Sequence, residues 1–129
     1  MIALYSLSPA RKRLALRGTV GREGLGEFEQ MVLLAILQLG ADVYGIPIVE
    51  EIERRTGRAV ARAAVYVTLR RLEQKGLVTS WMGAPTEERG GKARRYVEVT
   101  ATGRQALRES REAIEQMWRG LGATLRSAR

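Results

Sequence analysis

The residues able to do chemistry in this 129-residue chain are its cations: 22 Lys and Arg stand against 14 Asp and Glu, with no histidine and no cysteine. Without histidine the chain lacks the usual general base, the usual zinc ligand and the usual switch near neutral pH. Without cysteine, a disulfide framework and a thiolate metal site are excluded. The acids are scattered along helical stretches in Glu/Arg patterns typical of solvated faces, so carboxylate catalysis is not indicated. No catalytic residue, metal or cofactor is expected. What remains is positive charge, and it is unevenly placed. Between Arg54 and Arg95, eleven Lys and Arg meet only Glu73, Glu87 and Glu88, while the rest of the chain is neutral. Charge gathered in this way is the footprint of a face that meets a polyanion, because cations that neutralise phosphates release condensed counterions. A basic surface kept for solubility would be spread more evenly.

Two kinds of element have to position those cations. The stretch Ala61 to Val78, ARAAVYVTLRRLEQKGLV, reads as a short basic helix. Val65, Leu69 and Leu72 share one helical face, whereas Arg62, Tyr66, Arg70, Arg71 and Lys75 fall on the others. Tyr66 flanks the apolar face, so it suits either a core position or an exposed contact. Gly76 is placed to stop the helix with a left-handed residue. Two strand candidates follow, Leu77 to Met82 and Arg94 to Thr100, the second alternating Tyr96, Glu98 and Thr100 against Arg95, Val97 and Val99. Between them, GAPTEERGGKA is broken by Pro85, Gly90 and Gly91. The pair reads as a hairpin whose tip and second strand carry Arg89, Lys92, Arg94, Arg95 and Tyr96. Such a tip suits a minor groove or its phosphates, although a solvated loop with incidental charge reads the same way. A basic helix running into a hairpin is the layout of a winged helix-turn-helix, whose reading helix fits a major groove.

Upstream, Glu27 to Leu39 is predicted to be helical, with acids in its first turn and Gly40 beyond its end. From Met31 to Leu39 it is apolar almost all round, which implies burial from more than one side and, in part, against another subunit. Phe28, Met31 and Leu34 are its candidate dimer contacts. A second helix is expected over Tyr44 to Thr56, capped by Asp42, with Pro47 in its first turn and Gly57 at its end. There Ile48, Val49 and Ile52 pack inward and Glu50, Glu51, Glu53, Arg54 and Arg55 stay wet. The last helix is expected from Thr102, as cap, to about Leu121. Leu107, Ile114 and Leu121 recur every seven residues, with Met117, Trp118 and Leu125 widening the stripe. That stripe suits a partner helix, and the competing reading folds the helix onto its own domain. Residues 1–26, with five basic residues and four glycines, read as a flexible basic extension that meets DNA backbone or a partner, or as a disordered tail.

With 45% hydrophobic and 28% charged residues, the chain has the make-up of one modest globular domain. The expected organisation is a basic N-terminal extension at 1–26, a winged helix-turn-helix at 27–101, and a C-terminal dimerisation helix and tail at 102–129. The fold class is mainly α with a small β-hairpin wing. No run approaches the roughly 20 apolar residues that span a bilayer. The N-terminal charges follow rather than precede the apolar residues, which does not suit a secretory signal, and a cytoplasmic location is expected.

Four blocks, GEFEQMVLLAIL, YGIPIVEEIERRTGR, AVYVTLRRLEQKGLV and TEERGGKARRYVEVTATGRQAL, resemble the PadR family of bacterial transcriptional regulators in order and spacing. The resemblance covers roughly Gly26 to Trp118. It implies a homodimeric winged helix-turn-helix, usually a repressor, whose third helix enters the major groove while the wing touches DNA beside it. The family's tyrosine in the reading helix matches Tyr66, its basic position before Leu-Glu matches Arg71, and its basic wing matches Lys92, Arg94, Arg95 and Tyr96. Many members begin this helix with a hydroxyl residue and a proline, where this chain has Ala61 and Arg62, and Val67 replaces another common proline. Some PadR-like proteins bind flat hydrophobic molecules between subunits, and Trp118 offers a broad apolar face for such an effector, although a tryptophan on this stripe also suits interface core.

The reading that results is a dimeric, sequence-specific regulator of double-stranded DNA with a pseudo-palindromic operator. Its alternative is a winged-helix interaction module binding an acidic protein or RNA. The two are separated by the charge map, since protein docking alone does not call for all the excess charge on helix and wing together.

Overall fold

The computed structural model describes residues 24–84 and 93–127. Residues 25–104 form one compact unit, which is described first. Helix α1, Glu27–Leu39, begins where the Gly26 N–H donates to the Glu29 carboxylate at 3.0 Å, satisfying one of the orphan amides at a helix start. Its apolar run buries Val32, Leu33, Ala35 and Ile36, and this face packs on helices α2, Gly45–Thr56, and α3, Arg62–Gln74, and on a hairpin strand. The burial is one-sided: Leu34 is 46% exposed.

In α2, Ile48, Val49 and Ile52 turn inward as expected, but Glu51 is buried rather than wet. The Arg54 guanidinium donates to both its oxygens at 2.8 Å and Arg55 also donates to it, so two cations compensate one buried carboxylate. Asp42 does not cap this helix. It sits at φ 58, and the cap position is Tyr44, without a side-chain bond. The cause is tertiary, because Val43 is drawn into the sheet, its carbonyl accepting from the Val97 N–H at 2.9 Å. That extended residue delays the helix.

Helix α3 buries Val65, Thr68, Leu69 and Leu72, the spacing of one helical face. It ends at Lys75, and Gly76 at φ 78 takes the left-handed step that a side chain would resist. Leu77, expected to open the first strand, instead closes the helix, its N–H donating to the Leu72 carbonyl at 2.9 Å. Strands β1, Val78–Met82, and β2, Arg95–Val99, pair antiparallel, with Val78 opposite Val99 and Trp81 opposite Tyr96. Val97 and Val99 face the core while Arg95 and Glu98 point to solvent. Three helices followed by this hairpin make a winged helix.

Helix α4, Ala101–Trp118, leaves this unit and continues into the second, whose described part is residues 105–127. Its cap is Thr100 rather than Thr102: the Thr100 hydroxyl oxygen accepts from the Gly103 N–H at 3.0 Å and donates to the Gly76 carbonyl at 2.7 Å. The helix stops at Trp118, before the expected Leu121, because Gly120 at φ 84 leaves the helical conformation. A short helix α5, Gly122–Ser127, follows. Leu107 is buried, whereas Ile114, Met117, Trp118, Leu121 and Leu125 are exposed. Residues 1–23, most of the N-terminal extension, lie outside the described residues, as does the tip of the wing with Arg89 and Lys92.

Candidate nucleic-acid interface

Burying Val65, Leu69 and Leu72 fixes the rotation of α3, and that rotation presents Arg62, Tyr66, Arg70 and Arg71 to solvent. None of these three arginines forms an ion pair among the described residues, so each keeps its full set of donors for an outside acceptor. The remaining candidate on this helix differs. The Lys75 ammonium donates to Glu29 at 2.9 Å, and only 26% of its side chain is exposed. Burial alone would raise the Glu29 pKa, but the Lys75 hydrogen bond, the Gly26 N–H and the nearby Lys75 and Arg71 charges outweigh it and hold the carboxyl below its ordinary value. Lys75 thus ties the end of α3 to the start of α1.

The wing cations are also held, though by softer partners. Arg95 donates to the Ser80 hydroxyl at 2.8 Å, which donates in turn to the Glu73 carboxylate at 2.9 Å, linking β2 through β1 to α3. Arg94 lies 3.8 Å above the Tyr44 ring, in cation–π contact. Tyr96 meets Tyr44 edge-on at 6.2 Å and Trp81 at 6.0 Å, so the start of α2 and the base of the wing share one aromatic cluster. Between α3 and the hairpin opens a cleft of about 490 Å³ lined by Gly45, Tyr66, Leu69, Arg70, Glu73, Ser80, Arg95 and Val97. It brings Tyr66 and Arg70 together with Arg95.

Sequence reasoning missed Tyr44, Gly45, Glu73 and Ser80. Tyr44 and Gly45 mark a helix start, and nothing in their spacing says that they touch residues about twenty or fifty positions away. Ser80 carried one legible signal, its place in a strand two residues after the turn from α3.

The apolar candidates also divide. Phe28 and Met31 are half-buried, and both line a groove with Ile52, Val60 and Ala64, while Leu34 is exposed beside Gln38 and Arg55. On α4, Ile114 is 53%, Met117 75% and Trp118 55% exposed, whereas Leu107 is already covered within one chain. Among the described residues, no helix is long and apolar enough to cross a membrane, and no group of three or more acids could hold a metal ion.

Residues 33–109 match the Transcriptional regulator PadR-like family. A transcriptional regulator of Mycobacterium tuberculosis, Rv3488, is 40% identical over 98 residues, spanning 72% of this chain and 85% of its own. Among solved structures, a PadR family transcriptional regulator from Eggerthella lenta is 28% identical, with a TM-score of 0.59 over 92% of this chain and 93% of that one. A PadR-like transcriptional regulator from Bacillus cereus, at 21% identity, shares the fold with a TM-score of 0.62 over 78% of this chain and 93% of that one.

Proposed function

The chain belongs to the PadR-like family of transcriptional regulators, and from that premise we propose that it is a homodimeric, sequence-specific DNA-binding repressor acting in the cytoplasm. The observation that carries this reading is the division of α3, which buries Val65, Leu69 and Leu72 while leaving Arg62, Arg70 and Arg71 without carboxylate partners among the described residues. A helix so presented suits a major groove, where arginine makes bidentate bonds to guanine and contacts phosphates alike. Tyr66 adds a hydroxyl and a ring on the same side. The wing adds Arg94, Arg95 and Tyr96 together with Arg89 and Lys92 at its tip, the cations that would follow the neighbouring backbone. Lys75 contributes to this surface through the long-range field rather than as a free donor.

The dimer reading rests on the exposed Ile114 and Met117 of α4 and Leu121 just beyond its end, with exposed Leu34 and half-buried Met31 and Phe28 on α1 as the other candidates. Exposed apolar side chains gathered in this way are costly in water and are relieved by a second copy. Two symmetric reading helices would then require a pseudo-palindromic operator with half-sites about one helical turn apart. Trp118, on the same stripe, is the position from which a small hydrophobic effector would be sensed.

The test is fluorescence anisotropy of a labelled duplex taken from upstream of the protein's own gene, against a scrambled duplex, across a salt series. Preferential, steeply salt-dependent binding that saturates at two chains per duplex is expected. Equal weak binding to both duplexes would leave only non-specific electrostatics and favour a docking module for an acidic protein or RNA.

A further inference from the structure

We propose that Gly45, the first residue of α2, is a positioning residue for DNA recognition because it is the seat on which the Tyr66 ring is set; the proposal rests on the reading of Tyr66 as a DNA contact. The two residues are 21 positions apart in sequence and belong to different helices. A Cβ added to Gly45 would overlap Tyr66 Cε1 and stand 2.7 Å from both Cζ and the hydroxyl oxygen. The far end of the ring therefore lies flush on bare backbone. Tyr66 is nonetheless 45% exposed, and its hydroxyl makes no hydrogen bond among the described residues. A phenol whose one side is pressed on a helix start and whose hydroxyl is unspent is fixed in direction and free in chemistry.

That direction matters because Tyr66 shares its cleft with Arg70 and Arg95. A hydroxyl and two guanidinium groups opening on one cleft can hold neighbouring oxygens of an anionic backbone only if all three donors keep their spacing. Arg95 is held through Ser80, and Arg70 is one turn of α3 from Tyr66. Among the described residues the ring has no comparable tether, and its place is set by what it rests on.

The nature of the overlap also predicts how a substitution resolves. At Gly45 the obstructing atoms are the end of a half-exposed side chain, which can swing away by rotation about its χ angles at little cost to the fold. Glycine is also a poorer helix former than alanine, so the backbone has nothing to lose. Gly103 shows the opposite situation, since its Cβ would meet the Leu77 carbonyl and stand 2.8 Å from Val99 Cγ1 in the core. Gly45→Ala is thus expected to melt like the parent chain while turning Tyr66 aside, whereas Gly103→Ala is expected to lower the melting temperature.

The experiment is a double-mutant cycle on the full chain with Gly45→Ala, Tyr66→Ala and the double variant, reading anisotropy on the upstream and scrambled duplexes and thermal melting by circular dichroism. Tyr66→Ala should weaken binding about 100-fold, about tenfold for the one hydrogen bond to a charged group lost from each of the two copies. Gly45→Ala should weaken it about equally, and should cost less than about twofold when Tyr66 is already absent. Equal losses from Gly45→Ala with and without the tyrosine, parental affinity in Gly45→Ala, or a Gly45→Ala chain that fails to fold would each overturn the proposal while leaving the DNA reading intact. Parental affinity in Tyr66→Ala would instead overturn the reading of Tyr66 as a DNA contact, and the proposal with it.

Discussion

Two groups of arginines, close in sequence and equal in number, have opposite fates. At the end of α2 and in the turn after it, Arg54 and Arg55 are paired with Glu51, and Arg58 reaches Glu27 at 3.2 Å. On α3, Arg62, Arg70 and Arg71 make no ion pair among the described residues. A charge map drawn along the sequence counts all six alike. The folded chain separates cations that answer its own carboxylates from cations left for something else, and only the second kind lacks a partner that DNA would have to displace. On the proposed reading, local net charge locates the binding surface and the ion-pair pattern selects the residues on it.

The strongest test of this comparison exchanges the two sets. Arg62→Ala/Arg70→Ala/Arg71→Ala, which removes these arginines from both copies, should lose about 1,000-fold in duplex affinity near physiological salt and flatten the slope of log K against log salt by about five. Arg54→Ala/Arg55→Ala/Arg58→Ala should stay within about threefold of the parent, and similar losses from the two triples would erase the distinction. A second copy would double the free set, so Met117→Asp, placed where the side chain is 75% exposed, should dissociate the dimer without unfolding the chain. Sedimentation should report a monomer, duplex affinity should fall about 100-fold and the salt slope should roughly halve. If Met117→Asp left a dimer of parental affinity, the α4 stripe would not be the interface.

Lys75 sharpens the contrast, being a cation of α3 that is already engaged. Glu29→Gln breaks its pair and should cost about 1–2 kcal/mol of stability at neutral pH, read by denaturant titration, with little change in the salt slope. Because the folded state holds Glu29 below its ordinary value of 4.5, the ionised pair stabilises the chain above that value. That advantage is lost as pH falls through the lower folded pKa, so the gap between parent and Glu29→Gln should close on acidification below about pH 4.5 and stay constant above it. A gap that persisted at low pH would assign the effect to packing. The smallest effect is expected at Arg95, whose partner is a neutral hydroxyl: Arg95→Ala should weaken binding about threefold and lower the salt slope by about two, one for each copy.

Much of the fold was legible in the order of residues. The 3.6-residue spacing of Val65, Leu69 and Leu72 places the helix and its buried face, Gly76 marks its end, and the alternation around Val97 and Val99 gives a strand with one wet side. These are local properties, set by backbone geometry and by which side chains water rejects, and a few consecutive residues contain them. Two of the boundaries that failed, both helix starts, did so where the sheet intervened. Asp42 lost its capping role because Val43 pairs with Val97, and Thr100 displaced Thr102 because the end of β2 sets where α4 starts.

The sequence by itself determined a three-helix and hairpin order, a basic segment from Arg54 to Arg95, and the absence of histidine and cysteine chemistry. Only the tertiary structure decided which cations are free, that Glu29 reaches Lys75 across 46 positions, and that the Tyr66 ring rests on Gly45. An ion pair or a close ring contact forms between side chains that packing brings within a few ångströms, and no periodicity along the chain encodes that distance.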